Sequence, residues 1–249
     1  MIEHFAKQGS PEWKALRAGC ITASKFAVIR ESNKLKSGPN KGDYKEEAKS
    51  LAFRLAIERI SGAPLDEGYE TWAMERGHEL EPRARMRHED LTGDMVREVG
   101  FVCTDDNWFG ASADGFRMGN GHGCEYKCFI APDKLRSILL DGDTSDVIDQ
   151  CQGGMWLSGA RAWEFGLYCP ALEPVGRDFT LLVIERDDDY IEALERDLMA
   201  FRALVQAYEV QLRKLTQAAV DAVASNPPWQ AEPAPKTLGP KDLPASLFA

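Results

Sequence analysis

An α/β fold, with a mixed central sheet flanked by helices, is predicted by three observations. Residues 94–130 break into short β-like pieces, DMVREV, GFVCT, WFGASAD and CEYKCFI, punctuated by Gly, Asn and Asp. Segments of helical periodicity lie before and after them. Further on, WEFGLYC and FTLLVIE are apolar enough to form central strands. With 249 residues, 44% of them hydrophobic, the chain can bury a substantial core, a size that fits one domain with an appended segment.

Taken in order, Ser10-Pro11-Glu12 is a helix start, with a capping hydroxyl, proline at the first helical position and an acid in the first turn. Gly19 ends that helix. Residues 20–30, CITASKFAVIR, form a second short segment that Thr22 or Ser24 caps, and ESNKLKSGPNKG is an exposed loop. Asp43 with Glu46 resembles a capping box, from which YKEEAKSLAFRLAIERI runs as a helix to Ser61-Gly62. Residues 70–91 are helical again, and Pro82 must break or kink that helix or begin a new one, with Glu81 at the break. After the β pieces, residues 132–140 and about 145–159 read as helices, and 187–224 as a long amphipathic helix or helix pair. The last 25 residues hold six prolines and little periodicity. We therefore expect a single domain over 1–225 and a Pro-rich tail over 226–249. The tail is either inert or anchors a partner or another subunit through Trp229 and Leu247-Phe248.

Composition excludes some classes. No apolar run approaches the ~20 residues needed to span a bilayer, and MIEHFAKQGS lacks the basic-then-apolar order of a secretory signal, so a cytoplasmic protein is expected. The six cysteines (20, 103, 124, 128, 151, 169) contain no tandem C-x-x-C pairs and lie among apolar residues, as reduced buried thiols do. None follows Cys169, which leaves no late cysteine group for an iron-sulfur cluster. The net charge of −10 is uneven: residues 1–60 carry 12 Lys/Arg against 7 Asp/Glu. That local excess suits either the lining of a nucleic-acid channel or a solvated loop and helix face.

The chemistry concentrates in GASADGFRMGNGHGCEYKCF, residues 110–129. Asp114 closes one strand-like piece, and a glycine-rich turn leads to Glu125 and Lys127. Residues two apart on a strand share a face, so Glu125 and Lys127 point one way while Cys124, Tyr126 and Cys128 point the other. Two carboxylates from adjacent strands make a hard oxygen site suited to Mg²⁺ or Mn²⁺, ions that take further ligands from substrate phosphate. A lysine beside them would orient or deprotonate the attacking water, or steady the transition state.

The stretch resembles the PD-(D/E)xK nuclease superfamily, and the wider chain resembles the phage lambda exonuclease and YqaJ-type viral recombinase family. The resemblance runs through WKALRAGCITAS (13–24), RGHELEPRARMRHEDLTG (76–93), GASADG with CEYKC, QCQGGMW (150–156) and LLVIERDDDY (181–190). It implies a restriction-endonuclease-like core, with Asp114 and Glu125 as metal carboxylates, the backbone carbonyl of Tyr126 as a further ligand, and Lys127 as the catalytic lysine. Ala113 stands where the family usually has proline. Glu81 matches the helical glutamate that serves a second metal, directly or through water, so two Mg²⁺ ions (or Mn²⁺) per site are implied. Residues two apart on a helix point about 200° from each other, so only one glutamine of the Q-x-Q pair can face the site. The family match selects Gln152 and leaves Gln150 structural. Arg17 and Ser24 match a pocket for a terminal 5′-phosphate, which a guanidinium fork and a hydroxyl suit.

The resemblance thus implies an exonuclease that degrades one strand of duplex DNA from 5′-phosphorylated ends. It further implies a homotrimeric ring, and 3′ overhangs passed to a single-strand annealing recombinase. A site- or structure-specific endonuclease or resolvase on the same core, and a non-catalytic DNA-binding recombination scaffold, are the alternatives.

Overall fold

A computed structural model describes residues 1–30, 33–65, 72–129 and 131–225, with the backbone alone for Met74 and 216–225. The expected tail at 226–249 lies outside the described residues. The chain divides into two compact units, Met1–Glu209 and Val210–Ala249. Every strand among the described residues belongs to the first unit.

These nine short strands are divided between two mixed sheets. The four-stranded sheet has β1 (Ile2–His4), β4 (Phe101–Cys103), β5 (Phe109–Ala111) and β2 (Ile21–Thr22) in that order. The five-stranded sheet runs β3 (Val96–Arg97), β6 (Gly115–Arg117), β7 (Gly123–Lys127), β8 (Ala162–Tyr168), β9 (Phe179–Glu185). All its neighbours are antiparallel except β7 and β8, which pair in parallel from Gly123↔Trp163 to Lys127↔Leu167. Asp114 sits between the last residue of β5 and the first of β6, and therefore at the junction of the two sheets.

The helices are α1 (Pro11–Arg17), α2 (Phe26–Ile29), α3 (Glu46–Ser61), α4 (Trp72–Thr92), α5 (Pro132–Asp141), α6 (Ile148–Ser158) and α7 (Asp188–Ser225). As the sequence indicates, Ser10 caps α1 by accepting from the N–H of Trp13 at 3.2 Å. Four expectations change. Residues 20–30 open as strand β2 and a 3₁₀ turn before α2. Helix α3 starts at Glu46 after Lys45, so Asp43 caps nothing. Pro82 lies inside an uninterrupted α4, at an exposed position. Strand β9 is an edge rather than a central strand, with Ile184 its one buried residue. Its apolar run reflects packing on both faces: Leu182 and Ile184 join the cluster around Trp163 and Phe165, and Phe179 joins the one around Tyr126 and Tyr168.

Two close approaches fix α6 against the active strand. A Cβ on Gly123 of β7 would stand 2.3 Å from the Trp163 ring, and one on Gly154 of α6 would stand 2.5 Å from it. The indole is thus held between strand and helix where only glycine leaves room. All six cysteines are free, five of them buried, and burial pushes the Cys124 thiol up to about 12. No described helix is long and apolar enough to cross a membrane.

Candidate active site

Strand β7 carries its chemistry in alternation. Glu125 is 3% exposed, and the Lys127 ammonium meets its Oε1 at 2.5 Å. Asp114 faces the same strand edge-on, its Oδ2 accepting from the backbone N–H of Tyr126 at 2.6 Å. Antiparallel β6 pairs with β7 only at Gly123 and Cys124. Beyond them the Asp114 carboxylate takes the place of a neighbouring strand and closes the ladder.

Burial pushes the Asp114 carboxyl well above the ordinary carboxylate range, and the neighbouring charges of Glu125 and Glu81 push it further; Lys127 and the Tyr126 N–H oppose them without prevailing. Glu81, on α4, is raised by burial against the pull of Arg85 and His78, with Glu125 adding to the rise. Arg85, one turn on, donates to Glu81 Oε1 at 3.2 Å and also pairs with Glu98. Burial would lower the Lys127 ammonium, but the Glu125 and Asp114 carboxylates hold it above its ordinary value. Asp114 and Glu125 therefore converge on one lysine, and Glu81, paired with Arg85, adds a third carboxylate to the charge that both feel. That surplus of hard oxygen donors and negative charge fits a divalent cation.

A cleft of about 140 Å³ opens on this cluster. Its lining joins Asp114, Glu125 and Gln150 to Arg17, Thr22 and Ser24 from the other sheet's side. Arg17 stacks on Trp13, its guanidinium carbon 3.9 Å from the ring centroid, and donates to Ser112 Oγ at 3.2 Å. The Trp13 indole donates to the same hydroxyl at 3.0 Å. The Arg17 fork is thus oriented by an aromatic plane and by a serine two residues before Asp114.

Six of the singled-out residues, Asp114, Glu125, Lys127, Glu81, Arg17 and Ser24, come together around this cleft or in direct electrostatic contact with its carboxylates. Gln152 does not. Its amide donates to Glu185 O at 2.9 Å and accepts from the N–H of Asp187 at 3.1 Å, tying α6 to the turn between β9 and α7. Gln150 is the glutamine that lines the cleft, its Oε1 accepting from Lys127 Nζ at 3.4 Å. The helical rotation argument holds, and the choice between the two residues is reversed. Sequence reasoning also left out Trp13, Ser112 and Arg85. Trp13 and Arg85 each lie four residues from a chosen residue on one helix, a spacing that marks them as neighbours.

The opposite face of β7 holds a second polar cluster. His88 of α4 meets Tyr126 OH through Nδ1 at 2.9 Å and Glu164 Oε2 of β8 through Nε2 at 2.7 Å. Glu164 Oε1 accepts from Arg117 at 3.0 Å and Asn120 at 2.9 Å and lies 2.8 Å from His122 Nδ1. Burial alone would raise the Glu164 carboxyl, but these hydrogen bonds hold it down to about 2. Among the described residues, His88, Cys124 and Glu164 form the one group of three His, Cys, Asp or Glu side chains whose ligand atoms all lie within 4.8 Å of one another.

Residues 12–161 match the family model described as the YqaJ-like viral recombinase domain. The chain belongs to that family. No curated protein sequence matches it. Among solved structures, this YqaJ-like chain is similar to an alkaline exonuclease from Laribacter hongkongensis, at 29% identity and a TM-score of 0.70, over 84% of this chain and 100% of that one. The structure of that enzyme in complex with dAMP gives the same values. A phage-related exonuclease from Haemophilus somnus 129PT shares the fold at 18% identity and a TM-score of 0.57, over 79% of this chain and 96% of that one. The YqaJ-like domain here thus has the PD-(D/E)xK fold, and the chain is a nuclease.

Proposed function

We propose that the chain is a divalent-metal-dependent exonuclease that degrades one strand of linear duplex DNA in the 5′-to-3′ direction from a 5′-phosphorylated end. The observation that carries this reading is the shared cleft, which puts the Arg17 and Ser24 donors beside the Asp114 and Glu125 carboxylates. A guanidinium fork and a hydroxyl make a receptor for a terminal phosphate, and the carboxylates make a place for hydrolysis next to it.

Asp114 and Glu125 would hold a Mg²⁺ or Mn²⁺ ion, together with the Tyr126 carbonyl, which shares the side of the strand on which the Tyr126 N–H meets Asp114. Glu81 would serve a second ion, directly or through water. Ions held there offset the negative charge that builds on a phosphodiester during hydrolysis. Lys127, held as an ammonium by its carboxylate neighbours, acts as a hydrogen-bond donor to the attacking water or to the phosphoryl oxygens rather than as a base. Gln150 steadies the ammonium from the far side. Water attacks phosphorus, giving up one proton to solvent, as the bond to the 3′-oxygen of the terminal nucleotide breaks and that oxygen takes up a proton to leave as a hydroxyl. The 5′-phosphate stays on the shortened strand and is again a ligand for Arg17 and Ser24. The product is a 3′ overhang, a substrate for a strand-annealing recombinase in a bacterial or phage-infected cytoplasm. The family resemblance adds a homotrimeric ring to this reading.

Digestion of linear duplexes labelled at either strand end, with and without 5′-phosphate and Mg²⁺, tests it in one gel. We expect shortening from the 5′ end alone, faster on phosphorylated ends, and none without a divalent ion. Cleavage of covalently closed circles, or indifference to the phosphate, would favour an endonuclease on the same core.

A further inference from the structure

The cluster behind β7 has no part in the hydrolysis, yet it touches the residues that frame the reacting groups. His88 follows Glu81 by two helical turns, so both project from the same face of α4, the face on which Ala84 is buried against Cys124 and Tyr126. Tyr126 is held at two points: its hydroxyl meets His88 Nδ1 at 2.9 Å, and its backbone N–H meets Asp114 Oδ2 at 2.6 Å. Glu164, which when ionised can only accept, takes its bond from His88 Nε2, and His88 Nδ1 shares the other bond with the Tyr126 hydroxyl. A continuous line therefore runs from Glu164 through His88 and Tyr126 to Asp114, and it crosses the strand that carries Glu125.

We propose that Glu164, His88 and the Tyr126 hydroxyl are positioning residues for the metal-holding carboxylates, fixing where Glu81 of α4 stands relative to Asp114 and Glu125. The inference rests on the reading of those carboxylates as metal ligands. Helix α4 can slide or roll on the sheet only by giving up the His88 bonds, which are 0% exposed at His88 and 1% at Glu164. A buried pair with one partner removed leaves an unsatisfied charge or donor, so the register of α4 on β7 is set at this point. Arg76, which donates to Cys128 O at 2.8 Å, ties the start of the same helix to the chain just past β7.

The trio of His88, Cys124 and Glu164 reads as this lock and not as a second metal centre. Both His88 nitrogens are engaged, and Glu164 already accepts from Arg117 and Asn120 as well as His88. None of the three side chains has a buried polar atom without a partner among the described residues.

The test uses the full chain, free of DNA, titrated with Mn²⁺ and read by electron paramagnetic resonance, alongside thermal melting. Tyr126→Phe removes one oxygen and keeps the ring packed; His88→Gln keeps a donor and an acceptor. In both, Mn²⁺ affinity should fall about tenfold or more, as it does when the partners of metal ligands are removed. Cleavage at saturating Mn²⁺ should recover in His88→Gln to within about twofold of the parent, since the reacting groups are intact. Asp114→Asn should abolish Mn²⁺ binding; if it does not, the metal reading fails and the lock with it. If Asp114→Asn behaves as expected but Tyr126→Phe and His88→Gln lower the melting temperature without weakening Mn²⁺ binding, the cluster is structural only and the proposal is overturned. Co-purification of one zinc per chain, lost in Cys124→Ser, would overturn it as well.

Discussion

At the Glu125 face and adjoining edge of β7 the Asp114 and Glu125 carboxylates, with Glu81 of α4 in electrostatic reach, have Lys127 and Arg85 as their ion-pair cations, whereas on the Tyr126 face a single carboxylate, Glu164, is ringed by His88, Arg117, Asn120 and His122. The two buried acids that anchor these faces respond in opposite directions: Asp114 is pushed well above its ordinary range and Glu164 is held down to about 2. Burial raises both. What differs is the supply of donors, deficient on the front and complete on the back. A face built for stability satisfies its charges internally, while the unsatisfied negative charge on the front fits the proposed divalent ion, which would neutralise it.

The largest expected effect lies on the front. Lys127→Ala should reduce single-turnover cleavage in Mg²⁺ by about 10³-fold, the scale on which positioned proton donors contribute, with duplex DNA affinity in Ca²⁺ retained. Equal loss of binding would mean that Lys127 serves DNA contact rather than chemistry, and the contrast between the faces would weaken.

On the back face the sign of the pH dependence is fixed. A carboxyl held below its unfolded value contributes stability that is present above that value and lost as pH falls through the folded one. Glu164 thus contributes on the order of 3 kcal/mol near neutrality, lost as pH drops from its ordinary 4.5 towards about 2. Chemical denaturation from pH 6 to pH 2 should show that loss in the parent and a flatter profile in Glu164→Gln. Identical profiles would remove the claim that this acid is ionised in the fold.

A smaller pair of effects separates the two glutamines. Gln150→Ala should slow cleavage about tenfold at an unchanged melting temperature, because it withdraws one support from a catalytic ammonium. Gln152→Ala should leave the folded enzyme's rate near the parent's and lower the melting temperature by about 2–8 °C, since it strands two backbone groups, at about 1–3 kcal/mol. The reverse assignment would return the site role to Gln152.

These two residues also show where the sequence stops being informative. The alternation of Glu125, Tyr126 and Lys127 reads directly, because a strand's period of two needs no knowledge of its neighbours. That one glutamine of Q-x-Q faces the site follows from helix geometry, but which one depends on how α6 is rotated on the sheet. That rotation is set by Gly153 against Phe26 and Gly154 against Trp163, contacts invisible in a local window. The back-face lock is less legible still, since His88 and Glu164 stand 38 residues before and after Tyr126 and meet it only in the folded sheet. Strands β1, β2 and β6, of two or three residues each, are too short to show any period, so the division into two sheets was hidden.

The most direct test of the contrast is the metal-free melting temperature of Asp114→Asn beside that of Glu164→Gln, in EDTA at neutral pH. A carboxyl raised above its unfolded value costs stability once pH exceeds that value, so replacing Asp114 by its neutral isostere should raise the melting temperature. Glu164→Gln should lower it by several degrees as the buried network loses its anion. Opposite signs are what the account predicts; a fall of similar size in both variants would contradict it.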